Sequence, residues 1–167
     1  MIGATRRSFE SGHRPKFLVV VDETPECSRA IRFASRRCGR TGANLVMLAV
    51  VEPPDNFEWL GVGEVLRAEA EEEAASRLEE AVATAQQASP GLTPERVVKL
   101  GEKDQSILDL IAEDQDISFL VLASGVGSAG PGPLVSGIAG RLSGTFPVPI
   151  VIVPGDLADE AIDALAG

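Results

Sequence analysis

The chain has 167 residues, of which 44% are hydrophobic and 4% aromatic, and its formal net charge is −10. This length fits one domain with a substantial core, and so acidic a chain is not expected to bind nucleic acid or anionic membranes. Cys27 and Cys38, the two cysteines, are separated along a helical pattern by about 16 Å, too far for a disulfide. We therefore expect both thiols to be buried and free.

The predicted elements alternate between strand and helix along the chain. Strands are predicted from short apolar runs, and helices from apolar residues that recur every three to four positions. Thr24 predicts the cap of the first helix and Pro25 its first position. In chain order these elements are strand 17–22, helix 25–39, strand 44–51, helix 64–88, strand 96–100, helix 104–114, strand 117–123, helix 134–144 and strand 148–153.

This alternation of apolar strands with helices predicts an α/β domain built on an open, doubly wound, five-stranded parallel sheet with helices on both faces. We expect a flexible basic arm at residues 1–15, the domain itself at 16–155, and an acidic tail at 156–167 that could add a short helix. No apolar run approaches 18 residues and the start of the chain lacks the apolar core of a signal peptide. The expected location is the cytoplasm.

The loops after the first, second and fourth strands are the candidate sites, because open α/β sheets bind ligands beyond the carboxyl ends of their strands. Asp22 could accept hydrogen bonds from a ligand, or it could serve the adjacent turn. Residues 124–132 are rich in glycine and could cradle an anion with backbone N–H groups, or form a tight surface connection. In the loop at 52–64, Phe57 and Trp59 could close over a ligand or pack on the protein.

Catalytic motifs are missing from the sequence. It contains no Gly-x-x-x-x-Gly-Lys-[Ser/Thr] loop, no Gly-x-Gly-x-x-Gly after the first strand and no Gly-x-Ser-x-Gly, which disfavours P-loop NTPases, dinucleotide dehydrogenases and serine hydrolases. The single histidine, His13, lies in the basic arm, so an imidazole base or a histidine-rich metal site is not expected. We expect no enzyme, no catalytic residue and no metal site built from the chain's own ligands.

Four segments resemble the universal stress protein family. They are VVVDETPECSRAIRFA (19–34), ANLVMLAVVEP (43–53), GEKDQSILDLIAEDQDISFLVLASG (101–125) and FPVPIVIVP (146–154). The resemblance implies the strand order 3-2-1-4-5 of the adenine nucleotide alpha hydrolase-like fold. It also implies a homodimer joined by antiparallel pairing of the last strand, which starts at Val148 and ends at Val153; an apolar edge strand is otherwise a liability for association.

The resemblance also implies a nucleotide site. In nucleotide-binding members an Asp after the first strand and a Val near the end of the second flank adenine, and phosphates lie on a Gly-x2-Gly-x9-Gly-[Ser/Thr] segment after the fourth strand. Counting back from Pro149 puts other residue types on its three glycine positions, and a shifted frame recovers glycines but puts Arg141 where a hydroxyl is expected. The matched and neighbouring candidates are Asp22, Thr24, Val50, Ala123, Ser124, Gly125, Val126, Gly127, Gly130, Ser136 and Gly137.

Two hypotheses follow from these residues. In the first, the protein is a dimeric stress-response regulator that weakly binds ATP or another adenine nucleotide, with Mg²⁺. Val126 places a branched side chain where a phosphate would approach the backbone, which could weaken binding by about 1–3 kcal/mol. In the second, the protein binds no nucleotide and acts through protein contacts, with its pocket filled by its own side chains.

Overall fold

The computed structural model describes residues 5–53 and 63–167. Within these ranges five strands form one parallel sheet in the order β3-β2-β1-β4-β5. The predicted fold class and strand order are confirmed. The strands are β1 (Lys16–Val20), β2 (Asn44–Val51), β3 (Glu95–Leu100), β4 (Ile117–Ser124) and β5 (Ile150–Pro154).

Helices pack on both faces of the sheet. They are α1 (Cys27–Thr41), α2 (Gly63–Ala88), α3 (Lys103–Glu113) and α4 (Asp159–Leu165), together with a π-helical segment at Val135–Arg141 and a 3₁₀ turn at Ser143–Thr145. Helices α1, α2 and α4 share one hydrophobic core with the sheet, and α3 and the π-helical segment share the other. None of the helices in the described ranges combines the length and hydropathy needed to cross a bilayer.

The central strand β1 contributes to both cores because successive strand residues point to opposite faces. Phe17 and Val19 belong to the core under α1 and α2, whereas Leu18 and Val20 belong to the core under α3. Burial on both faces explains why the strand is apolar at every position from 17 to 21. It also fixes where β1 ends, and therefore where the polar residues that follow it emerge.

The first helix begins later than the sequence predicts. Helix α1 starts at Cys27, with Glu26 at the N-cap position and no side-chain cap. The Thr24 hydroxyl donates to Asp22 Oδ1 instead, and the Cys27 N–H donates to the Thr24 carbonyl at 3.2 Å. The prediction that Thr24 caps this helix was wrong, because its hydroxyl serves the turn built on Asp22.

The segment between β4 and β5 also differs from the prediction of a regular helix over residues 134–144. Its π-helical turn closes with a hydrogen bond of 3.0 Å from the Leu142 N–H to the Gly137 carbonyl, in a stretch where glycines weaken a regular α-helix. Strand β5 then starts at Ile150 rather than at Val148. Proline at position 149 has no N–H to donate to the sheet, although its carbonyl accepts a hydrogen bond of 3.0 Å from Leu120.

The described part of the basic arm lies at the amino ends of β1 and β4. Arg6 donates to the backbone carbonyls of Asp114 at 3.2 Å and Ile117 at 3.1 Å, and burial lowers its pKa. His13 Nδ1 lies 2.7 Å from Asp116 Oδ1. The segment predicted as a flexible arm therefore contacts the domain at both ends of its described length.

The acidic tail contains the short helix α4, which packs on α1. Ile162 is fully buried, and the Arg32 guanidinium donates two hydrogen bonds to the Asp163 carboxylate at 2.8 and 2.7 Å. This pairing raises the pKa of Arg32 and lowers the pKa of Asp163. The tail thus extends the core beyond β5.

Candidate ligand-binding crevice at the carboxyl end of the sheet

A crevice opens beyond the carboxyl ends of β1 and β4, where the chain order of the sheet reverses. Strand β1 pairs with β2 on one side and with β4 on the other, so the connections that leave β1 and β4 diverge to opposite faces. The crevice is lined by Val20, Asp22, Thr24, Glu26, Cys27, Ala30, Lys103, Leu122, Ala123, Pro131, Gly132, Pro133, Leu134 and Val135.

Asp22 lies at the mouth of this crevice with one carboxylate oxygen already engaged. Its Oδ1 accepts hydrogen bonds from the backbone N–H of Thr24 at 2.9 Å and from the Thr24 hydroxyl. The second oxygen, Oδ2, has no hydrogen bond within the described residues. The two sequence interpretations of Asp22 are therefore compatible, because one oxygen serves the turn and the other can accept from a ligand.

Two backbone N–H groups of the glycine-rich turn after β4 are bonded within the turn. The Gly125 N–H donates to the Pro131 carbonyl at 2.9 Å, and the Gly130 N–H donates to the Gly127 carbonyl at 3.2 Å. Pro131 and Pro133 have no N–H, and the Ser136 N–H is used within the following helical turn, on the carbonyl of residue 132, at 3.0 Å. The N–H groups at positions 126–129 and 132 have no hydrogen-bond acceptor within the described residues, so they remain available to an anion.

The Glu26 carboxylate lies directly against this turn. A Cβ placed on Gly125 would be 3.1 Å from Glu26 Oε1, and one placed on Gly155 would be 3.0 Å from Glu26 Cβ. Glycine at these two positions lets the turns after β4 and β5 approach Glu26 closely. No hydrogen bond or ion pair to the Glu26 carboxylate exists within the described residues, so it faces the crevice as an uncompensated negative charge.

Lys103 lines the crevice from the other side of the sheet. It is the first residue of α3, and its Nζ lies 3.9 Å from Glu52 Oε1, just after β2. Lys103 also borders a second, adjoining cavity of about 270 Å³. That cavity is lined by Glu52, Glu102, Lys103, Asp104, Pro133, Leu134 and Arg141.

The floor of the crevice contains Cys27. Its Sγ–H donates to the Val20 carbonyl at 3.5 Å, and burial raises its pKa to about 11. Both cysteines are buried and free, as predicted. A neutral, hydrogen-bonded thiol is a poor nucleophile, so Cys27 is a packing residue of the crevice wall.

Of the predicted site residues, Asp22, Thr24 and Ala123 line the crevice. The others do not, although Gly125 packs against Glu26 at its edge. Val50 is half-buried and packs against the core under α3, and Val126 is 63% exposed. Ser124, Gly127, Gly130, Ser136 and Gly137 are likewise outside the lining. Phe57 and Trp59 lie outside the described residues.

Sequence reasoning missed Glu26, Lys103 and the stretch from Pro133 to Val135. Glu26 follows Asp22 by four residues in the same connection, a spacing that could have suggested it. Lys103 follows β3, an edge strand, and that connection was not among the candidate loops. Lys103 nevertheless lines the crevice as the first residue of α3.

The residues present fit an adenine-sized group better than a phosphate chain. The crevice offers about 70 Å³, below the roughly 300–1,000 Å³ of ordinary ligand pockets. Its apolar walls and the open oxygen of Asp22 suit a flat base with an amino group. The Glu26 carboxylate beside the glycine turn does not suit a phosphate chain that approaches it directly.

This open α/β sheet with a crevice at its reversal point places the protein among the doubly wound α/β folds. The sequence profile of the universal stress protein family matches residues 13–154. The chain belongs to the universal stress protein family. Comparison with curated protein sequences gives no match.

Solved structures of the family have the same fold. The universal stress protein UspA from Lactobacillus plantarum aligns with a TM-score of 0.66 at 19% identity, over 83% of this chain and 97% of that one. The protein from Archaeoglobus fulgidus in complex with dAMP aligns at 0.57 and 17%, over 83% and 96%. The Arabidopsis thaliana family protein with AMP bound aligns at 0.54 and 18%, over 87% and 94%.

Proposed function

We propose that the protein is a non-enzymatic stress-response regulator that binds a small adenine-containing ligand in the crevice beyond β1 and β4. The observation that carries this proposal is the open carboxylate oxygen of Asp22, fixed by its bonds to Thr24, at the mouth of an apolar crevice. Related structures contain dAMP and AMP, which supports adenine as the recognised group.

Binding would require the crevice to widen. Its wall from Pro131 to Val135 belongs to a connection rather than to the sheet, so that wall can move while the strand ends stay fixed. In the bound state the exocyclic amino group or the ribose would donate to Asp22 Oδ2, and Val20 and Leu122 would contact the ring. The affinity is expected to be weak, because part of the binding energy opens the wall.

A melting-temperature measurement tests this function. Adenosine, AMP or Mg-ATP at millimolar concentration should raise Tm by about 3–5 °C if the ligand is present at about ten times its Kd. Asp22→Ala should abolish the rise, whereas Asp156→Asn, an exposed acid of the tail, should keep it. Absence of any shift with all three compounds would contradict the proposal.

A second candidate function is action through protein contacts alone, with the crevice closed by its own side chains. The small volume of the crevice, about 70 Å³, favours it. Mass spectrometry of the purified protein separates the two candidates, since a copurifying adenine compound supports the first and its absence, together with no thermal shift, supports the second.

The same proposal includes a homodimer through β5. This strand forms an edge of the sheet, its Ile152 is 42% exposed, and an apolar edge is readily paired by a second strand. Ile152→Lys should convert a dimer to a monomer in analytical ultracentrifugation. Val98→Lys, on the opposite edge strand with Val98 39% exposed, is the matched control and should leave the dimer intact; a wild-type monomer would contradict this part of the proposal.

A further inference from the structure

The charges around the crevice are predominantly negative. The crevice and the adjoining cavity together present five carboxylates and two cations. The carboxylates are Asp22, Glu26, Glu52, Glu102 and Asp104, and the cations are Lys103 and Arg141. The two cavities together therefore present more acidic than basic side chains.

Among these carboxylates, Glu26 lies against the turn that follows β4. The turn after β4 leads into the helical segment at Val135–Arg141, which is where backbone donors would ordinarily hold an anion. In this chain Glu26 Oε1 lies 3.1 Å from a Cβ position on Gly125, and the Gly125 N–H is already donated to the Pro131 carbonyl at 2.9 Å. An anion that approaches the remaining N–H donors of this turn would therefore also approach a like charge.

Lys103 does not offset Glu26, because the two lie at opposite sides of the crevice. Glu26 contacts the turns that follow β4 and β5, whereas Lys103 lies beside Glu52, which follows β2. Strands β2 and β4 are on either side of β1. Lys103 Nζ also forms an ion pair with Glu52 Oε1, at 3.9 Å.

We propose that Glu26 is a specificity-determining residue that makes the crevice selective for an uncharged adenine nucleoside over nucleotides, with affinity falling as phosphates are added. This inference rests on the proposed binding of an adenine-containing ligand. The physical basis is repulsion between Glu26 and a phosphate at short range in a partly desolvated site, where charges are weakly screened.

Isothermal titration of the intact protein with adenosine, AMP and ATP tests the proposal. Wild type should bind adenosine at least about tenfold more tightly than ATP. Glu26→Gln should strengthen ATP binding by about five- to tenfold and leave adenosine nearly unchanged, because only a charge–charge interaction is removed. Glu72→Gln removes one charge from the exposed face of α2 and should change neither affinity.

Ionic strength gives an independent readout. Repulsion is screened by salt, so the affinity of wild type for ATP should rise between low and moderate salt, and Glu26→Gln should show less of this rise. In a site that holds phosphate with cations, the affinity for ATP would instead fall as the salt concentration rises.

The outcomes separate this inference from the function on which it rests. If ATP binds wild type as tightly as adenosine, or if Glu26→Gln leaves the ratio unchanged, the selectivity proposal is wrong while adenine binding stands. If no adenine compound binds either protein, both are wrong. A circular dichroism spectrum and melting curve of Glu26→Gln equal to wild type establish that the variant is folded.

Discussion

The two ends of the sheet differ in how closely their charged side chains are paired. At the amino end, Lys16 Nζ lies 2.8 Å from Asp114 and 2.9 Å from Glu95, and His13 is paired with Asp116. At the carboxyl end, Glu26 has no ion pair within the described residues and Lys103 has a partner only at 3.9 Å.

This difference separates residues that hold the fold from residues that are available to a ligand. Paired charges at the amino end fix the starts of β1, β3 and β4 relative to one another. Glu26 and Lys103 at the carboxyl end add little to stability because they make few contacts, and they remain free to interact with whatever enters the crevice. Substitutions at the two ends should therefore affect different measurements.

The largest effect on stability is expected for Lys16→Met, which keeps the apolar stem and removes the ammonium group. Burial lowers the pKa of Lys16, but its hydrogen bonds and proximity to Asp114 and Glu95 raise it on balance, so the charged form is favoured in the folded protein. The free energy of unfolding of the variant, measured in urea at pH 7, should be about 1–2 kcal/mol lower than that of wild type. The contribution persists below the ordinary lysine pKa and is lost as the pH rises through the raised value.

The matched control for this prediction is Lys103→Met at the carboxyl end. With one partner at 3.9 Å, Lys103 should contribute less than about 0.5 kcal/mol. Equal losses for the two variants would remove the distinction between the two ends of the sheet.

A smaller loss of stability is expected for Asp22→Ala, because the carboxylate holds the Thr24 N–H and hydroxyl. Removing these two hydrogen bonds should lower the free energy of unfolding by about 1 kcal/mol, as measured in urea. The substitution should also abolish the ligand-induced rise in Tm. Asp22→Asn keeps an acceptor oxygen and should recover most of the stability. A stable Asp22→Ala variant with unchanged ligand binding would show that Asp22 serves neither role.

Glu26→Gln should change stability by less than about 0.5 kcal/mol, since its carboxylate makes no hydrogen bond or ion pair within the described residues. Asp114→Asn at the amino end, where the carboxylate accepts from Lys16, should cost about 1 kcal/mol by the same measurement. A large loss for Glu26→Gln would mean that its carboxylate is structural.

The smallest expected difference between the two ends of the sheet is in the reactivity of the two cysteines. Burial raises the pKa of Cys27 to about 11 and that of Cys38 to about 12, so at pH 8 both thiols are neutral and should react slowly with iodoacetamide. Cys27 lines the crevice and should be alkylated several times faster than Cys38 at the amino end, as mass spectrometry of timed digests can show. Faster labelling of Cys38 would contradict the position of the crevice.

The raised thiol pKa values also predict how the stability of the fold changes at alkaline pH. Unfolded thiols ionise near their ordinary value of 9.0, whereas the folded thiols stay protonated to about 11 and about 12. The folded state therefore binds more protons in this interval, and stability should decrease as the pH rises above the ordinary value. Replacing Cys27 by Ser should reduce this alkaline loss, as measured by unfolding at pH 8 and pH 10.

The sequence predicts the fold well because the strands β1 and β2 are apolar on both faces. Leu18 and Val19, for example, enter different cores, and such runs separated by helical patterns permit few arrangements. The order of strands came from the family resemblance rather than from periodicity. Helix ends were predicted less well, since Thr24 bonds to Asp22 instead of capping α1.

The site was predicted only in part, for a physical reason. Asp22 and Ala123 follow directly from strand ends, which the apolar pattern locates. The environment of the glycine turn depends on contacts between residues distant in sequence, such as Glu26 with Gly125. Its hydrogen bonds to Pro131 depend on a loop conformation that glycine and proline content alone does not specify.

The most direct test of adenine binding at the carboxyl end is an amide chemical-shift titration of the ¹⁵N-labelled protein with adenosine. We expect shifts confined to the segments around Asp22–Ala30 and residues 122–135, with residues 13–16 and 114–117 at the amino end unchanged. Shifts centred on the amino end, or no shifts at millimolar adenosine, would contradict the account.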